Sequence, residues 1–87
     1  MIEVVYHTRF RKSATVLSGK QRVKLANLIE RLQKNPYDPL LHVRHLTEPL
    51  IGILSFRITR DWRVLYEFID EGTVQLIRVA HRSDAYR

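Results

Sequence analysis

The sequence predicts an α+β domain in the order β-α-α-β-β-β, an antiparallel sheet with a helical hairpin packed on one face. Three observations predict it. Residues 2–7 alternate with a period of two, apolar residues from Phe10 to Leu32 recur at helical spacing around a capping signal, and three alternating runs from Ile51 to His81 are split by tight turns. At 87 residues there is room for one domain, residues 1–87, with no linker to place.

In the first strand Ile2, Val4 and Tyr6 fall on one side and Glu3, Val5 and His7 on the other. From Arg9 the period lengthens, and Phe10, Ala14 and Leu17 recur as on a helix. Ser18-Gly19-Lys20-Gln21 then reads as a capping box, with the serine hydroxyl at the N-cap and glutamine three residues on, so a second helix starts there. Its buried stripe is Leu25, Leu28, Ile29 and Leu32, while Lys20, Arg22, Lys24, Arg31 and Lys34 project from its other sides. Asn35-Pro36 ends it, because proline pushes the residue before it out of the helical region. Tyr37 to Pro49 holds two prolines and two histidines without a clean period and reads as a loop with a short turn.

The next run, Ile51 to Thr59, sets Leu54, Phe56 and Ile58 against Ile53, Ser55, Arg57 and Thr59. Arg60-Asp61 forms a tight turn. Trp62 to Ile69 sets Val64, Tyr66 and Phe68 against Arg63, Leu65 and Glu67, and Asp70-Glu71-Gly72 supplies the next turn, with the glycine for a positive φ. In Thr73 to His81 both faces, Val74/Leu76/Ala80 and Ile77/Val79, are apolar, so alternation leaves open which one carries His81. The sheet face away from the helices is expected to be half open. It would hold Arg57 and Arg63 on neighbouring strands with the C-terminal residues beside them.

Composition narrows the function. The net charge of +6 points to a polyanionic partner, usually nucleic acid. Residues 1–55 carry 9 Lys/Arg against 4 Asp/Glu, whereas residues 56–87 carry 6 arginines against 5 acids, so the two basic populations are suited to different tasks. With no cysteine there are no disulfides and no thiolate chemistry, and with no apolar run near membrane-spanning length and no basic, apolar leader the expected location is the cytoplasm.

Arg57 and Arg63 make a fork suited to a phosphodiester, although cross-strand pairing with a carboxylate such as Glu67 is the plainer role for such arginines. His81 is able to move a proton near neutrality; a lone histidine at a strand end is more often structural. Tyr86 suits a general acid or a stacking platform, or merely docks the chain end. His42 and His45, with His7 and His81, lack the spacing and the thiolates of a zinc site, so no metal is expected. No glycine-rich phosphate loop, nucleophile elbow or catalytic carboxylate pair is present, and no cofactor is implied. What remains is cations, a histidine and a tyrosine on a basic domain. RNA cleavage needs little more, because the 2′-hydroxyl attacks its own phosphate, leaving to the protein a base, cations for the phosphorane and an acid for the 5′-oxygen. The helix cations Lys20, Arg22, Lys24, Arg31 and Lys34, with Arg60 in the turn, are candidate RNA contacts of a sequence-independent kind.

The element order, with "FRITRDWRVLYEFIDEG" and "VAHRSDAYR", resembles the RelE/ParE superfamily of toxin–antitoxin toxins, more its RelE branch, over nearly the whole chain. The resemblance implies a compact, microbial-RNase-like fold and an endoribonuclease that cuts mRNA in the ribosomal A site without a metal. Its implied partners are mRNA, ribosomal RNA and a cognate antitoxin, acidic or amphipathic, that wraps the toxin, covers or displaces the C-terminal residues and allows a higher-order toxin–antitoxin oligomer. By the same resemblance Arg63 contacts the scissile phosphate, Tyr86 stacks on or protonates near the cut, Arg82 is the C-terminal arginine, Arg57 stands for a lysine pair and His81 is the general base, with His45 a second histidine of that type. Two alternatives stay open: a ParE-like inhibitor of DNA gyrase, and a catalytically degenerate toxin that serves only as the antitoxin-binding half of a repressor complex.

Overall fold

The computed structural model describes residues 1–85. Strand β1 (Glu3–Tyr6) leads into helix α1 (Thr8–Ser13), which tightens into a 3₁₀ turn over Ala14–Val16. His7 caps α1, its Nδ1 accepting from the Arg9 N–H at 3.0 Å. Helix α2 (Gly19–Lys34) starts at the expected capping box: the Gln21 N–H donates to Ser18 Oγ at 3.2 Å, and the Ser18 N–H donates back to Gln21 Oε1 at 2.9 Å. It ends at Asn35, whose backbone is extended before Pro36.

Five strands form one sheet in the order β1-β5-β4-β3-β2. The meander β3 (Leu54–Arg57), β4 (Trp62–Asp70) and β5 (Thr73–His81) is antiparallel as expected. Two features were not expected. β1 lies parallel to β5, pairing from Glu3↔Thr73 to Tyr6↔Leu76, so the sheet is mostly rather than wholly antiparallel. A two-residue strand β2 (Arg44–His45) adds to the far edge, from a loop too short on alternation to reveal it. The glycine with positive φ is Gly52, at 90°, rather than Gly72, whose turn is held by its N–H donating to Asp70 Oδ1 at 2.9 Å.

The helical hairpin covers one sheet face. Phe10, Leu17, Leu25, Leu28 and Leu32 pack on Leu54, Phe56, Ile58, Val64, Tyr66, Val74, Leu76 and Val79, and each fully buried large side chain contributes about 1.5–3 kcal/mol. The opposite face is less open than alternation implied. Leu65 and Ala80 there are covered by Leu46 and by Ala85 from the C-terminal turn, with Leu50, Ile53 and Ile77 around them. What stays uncovered is the end of the sheet where β3 stops, β4 begins and β5 stops.

Candidate functional site

The register builds this end of the sheet in rungs. Arg57 faces Arg63 across β3 and β4, and Arg63 faces Ala80 across β4 and β5. Two residues along, Arg44, Ser55, Leu65 and Arg78 lie side by side on four strands. Strand alternation puts both rungs on the face away from the helices. Four arginines therefore frame the small buried patch of Ser55, Leu65 and Ala80. Arg57 and Arg63 were expected together and are; Arg44 and Arg78 were missed.

Arg78 was hidden by a bulge. β4 and β5 pair Leu65↔Arg78 and then Tyr66↔Leu76, leaving Ile77 as an extra residue. Strict alternation groups Ala80 with Val74 and Leu76, but the bulge moves Arg78 and Ala80 to the opposite face. The signal was available only in the unusual two-sided apolarity of β5. Arg44 had no signal, because β2 is two residues long.

The same shift decides the parity of His81. It faces Trp62 on the last rung, and its ring meets the indole edge-on at 5.2 Å between centroids. His81 thus belongs to the face opposite Arg63. Ser83 fixes the imidazole: its N–H donates to Nδ1 at 3.2 Å and its Oγ lies 2.9 Å from the same atom. A backbone N–H only donates, so Nδ1 is the unprotonated nitrogen and the neutral ring carries its proton on Nε2. In this arrangement the N–H at Nε2 is a hydrogen-bond donor. The base role expected from the sequence would need the other tautomer.

The C-terminal turn is tied down. The N–H groups of Asp84 and Ala85 both donate to the His81 carbonyl at 2.9 Å, and an Arg78 guanidinium nitrogen donates to the Asp84 carbonyl at 3.3 Å. Arg82 turns toward the β3–β4 hairpin: its N–H donates to the Asp61 carbonyl at 2.8 Å and its Nε lies 3.7 Å from Asp61 Oδ1. Both partners are half exposed, so the pair is worth about 0–1 kcal/mol and leaves Arg82 easily recruited by a stronger anion. Arg63 donates to the Arg60 carbonyl at 3.4 Å, which angles it toward the same hairpin. Tyr86 lies outside the described residues.

Of the helix cations, only some converge. Lys24 and Arg31 border an open groove of about 550 Å³ with Arg57 and Arg60, floored by Leu28 and Ile58. Arg31 also pairs with Asp38 at 3.1 Å. Lys34 lines the neighbouring hollow beside Asp38 and Glu30. Lys20 and Arg22 stand at the start of α2, apart from the groove, where Arg22 donates to the Thr15 carbonyl at 3.1 Å. The other histidines are dispersed. His7 caps α1, His42 has a left-handed backbone after a 3₁₀ turn at Pro39–Leu41, and His45 lies on β2, opposite Leu54 and three strands from β5. Among the described residues no group of three or more His, Asp or Glu is gathered to hold a metal, and no helix is long and apolar enough to cross a membrane.

Comparison with known proteins is consistent with this geometry. Residues 4–86 match the family model of the ParE toxin of type II toxin–antitoxin systems. Among solved structures, YafQ from E. coli strain BL21(DE3) superposes with a TM-score of 0.77 at 17% identity, over 100% of both chains. The toxin–antitoxin complex RelBE2 from Mycobacterium tuberculosis matches at 30% identity and a TM-score of 0.67, over 93% of this chain and 98% of that one. The archaeal RelE–RelB complex from Pyrococcus horikoshii gives 18% identity and 0.76, over 97% and 98%. No curated protein matches the chain in sequence.

Proposed function

The chain belongs to the RelE/ParE family of type II toxin–antitoxin toxins, and from that premise we propose that it is an endoribonuclease that cuts mRNA on the ribosome. The observation that carries the reading is the rung that places Arg57 opposite Arg63 at an uncovered end of the sheet, with His81 following Ala80, the residue that opposes Arg63. In the reaction the 2′-oxygen of the substrate forms a bond to phosphorus while its proton passes to water. The bond from phosphorus to the 5′-oxygen breaks, and that oxygen takes a proton from water, which balances the one the 2′-oxygen released, while the N–H at His81 Nε2 donates a hydrogen bond to it; a 2′,3′-cyclic phosphate is left. Arg57 and Arg63 hold the phosphoryl oxygens as charge accumulates on them. Tyr86 is assigned next to the leaving group and Arg82 to the flanking phosphate, which it reaches by giving up Asp61.

A site built this way has no strong base among the described residues. It therefore depends on a substrate already bent for in-line attack, which a ribosome holding mRNA in its A site supplies. Lys24, Arg31 and Arg60 lie along the adjoining groove and suit contacts to ribosomal RNA, with Lys20, Arg22 and Lys34 as outlying ones. The partner in the cell is an antitoxin, as in the RelBE2 and RelE–RelB complexes that the fold matches. The cytoplasm, where ribosomes work, is the proposed location.

The deciding experiment maps mRNA ends by primer extension in a reconstituted translation reaction, with and without ribosomes, for wild type, Arg63→Ala and His81→Ala. Cuts made only with ribosomes, and slowed about 100-fold or more in the variants, support the reading. Intact mRNA with folded wild-type protein overturns it. The ParE description of the matching family then favours gyrase inhibition, read by a supercoiling assay.

A further inference from the structure

β1 accompanies β5 only as far as the Tyr6↔Leu76 pair. Beyond it the free edge of β5 is taken by α1, clasped through a single hydroxyl: the Val79 N–H donates to Ser13 Oγ at 2.8 Å, and that oxygen donates to the Phe10 carbonyl at 3.0 Å. The clasp fixes which side of α1 faces β5. Arg9 and Lys12, four residues and one residue before Ser13, share that side of the helix. Across the seam stands Arg78, half buried and steadied by the Asp84 carbonyl, which engages one of its five N–H donors.

We propose that this seam is a second phosphate subsite, in which Arg9, Lys12 and Arg78 seat a backbone phosphodiester of the RNA strand away from the bond that is cut. The proposal rests on the nuclease reading and extends the strand's path beyond Arg57 and Arg63. An open pocket of about 280 Å³ lies between these residues, lined besides by Ser13 and Val79 and by no carboxylate. Neither Arg9 nor Lys12 makes an ion pair among the described residues. Three cations around a pocket whose lining holds no carboxylate repel one another, and an anion between them lowers that cost. The lining has no aromatic ring to stack a base, so recognition is of backbone rather than sequence. The seam also adjoins the proposed cut: Arg78 shares a face with Ala80, which opposes Arg63, and Asp84, which steadies Arg78, follows the serine that fixes His81.

The test measures binding of an all-DNA oligonucleotide, which has no 2′-hydroxyl and is not cleaved, as a function of salt. Wild type, Arg9→Gln/Lys12→Gln and Arg57→Gln are compared after thermal melts confirm that each is folded. Losing two phosphate contacts should lower the slope of log affinity against log salt by about 1.4 in the double variant. Side-chain ¹⁵N spectra should show Arg78 shifting with the oligonucleotide and far less with inorganic phosphate. An unchanged slope in the double variant, with weaker binding by Arg57→Gln, overturns the subsite and leaves the nuclease reading intact. No binding by wild type overturns both. Unchanged oligonucleotide binding with lost affinity for the antitoxin overturns it in favour of an acidic protein ligand, and equal response to free phosphate overturns it in favour of a small anion.

Discussion

Arg57 and Arg63 stand directly opposite one another across β3 and β4, two like charges on the same rung of the sheet. Facing like charges destabilise a strand pair by about 0.2–1 kcal/mol. Replacing one should therefore help the fold while harming the chemistry. Arg57→Gln is expected to raise the urea midpoint slightly and to slow ribosome-dependent cleavage at least tenfold. A variant that is both less stable and equally active would show that the pair serves the sheet rather than a phosphate.

His81 offers a sharper check. With Nδ1 accepting from the Ser83 N–H, the neutral ring should show its proton on Nε2 in two-bond ¹H–¹⁵N spectra. Ser83→Ala keeps the N–H and should keep that tautomer, while cleavage falls several-fold as the ring loses the 2.9 Å hydroxyl contact. A proton found on Nδ1 in the wild type would remove the donor role assigned to this residue.

Tyr66 is fully buried between Phe56 and Phe68, and its hydroxyl has no hydrogen-bond partner among the described residues. An unsatisfied buried hydroxyl costs about 1–3 kcal/mol, so Tyr66→Phe should gain stability, on the order of 1 kcal/mol after the lost contacts. Burial first, and nearby Tyr37 second, push the phenol well above its ordinary value. The folded state therefore holds this proton more tightly than the unfolded chain. The stability tied to it is complete below the ordinary tyrosine value near 10 and is lost as pH rises beyond it. Melts of the two proteins should converge less at high pH: the wild type should fall further behind the Phe variant above about pH 10. Parallel pH curves would contradict this.

Asp38 works in the opposite direction. Its carboxylate accepts from the Leu40 N–H at 2.9 Å, the main cause of its lowered pKa; burial opposes this, and the hydrogen bond and charge of Arg31 add to the lowering. Folding thus favours the ionised form. That stability is present above the ordinary carboxylate range and is lost as pH falls through it. Asp38→Asn should flatten the acid limb of a stability–pH curve, and an unaltered limb would assign acid sensitivity to other carboxylates.

The parts of the molecule that follow from local chemistry were legible. Ser18 and Gln21 mark the start of α2 by themselves, Asn35-Pro36 marks its end, and the alternation in β3 and β4 correctly sorts Leu54, Phe56, Val64 and Tyr66 from Arg57, Arg63 and Leu65. The parts that depend on distant partners were not. β2 exists because β3 offers Leu54 and Ser55 as partners, the bulge at Ile77 exists because two strands of slightly different path must stay paired, and Ser13 is explained only by Val79, 66 residues away. Sequence reasoning consequently found the Arg57–Arg63 pair but not Arg44 or Arg78, and it left the face of His81 undecided.

The parallel pairing of β1 with β5 sets a clock on synthesis. The first strand to be made has its partner among the last residues of the described chain, and every rung that aligns Arg63 with Ala80 or Trp62 with His81 waits for the same strand. Pairings so distant in sequence form late. In a nascent chain of this topology the end of the sheet that brings Arg63 beside Ala80 and Trp62 beside His81 assembles only after residues 73–81 have been made.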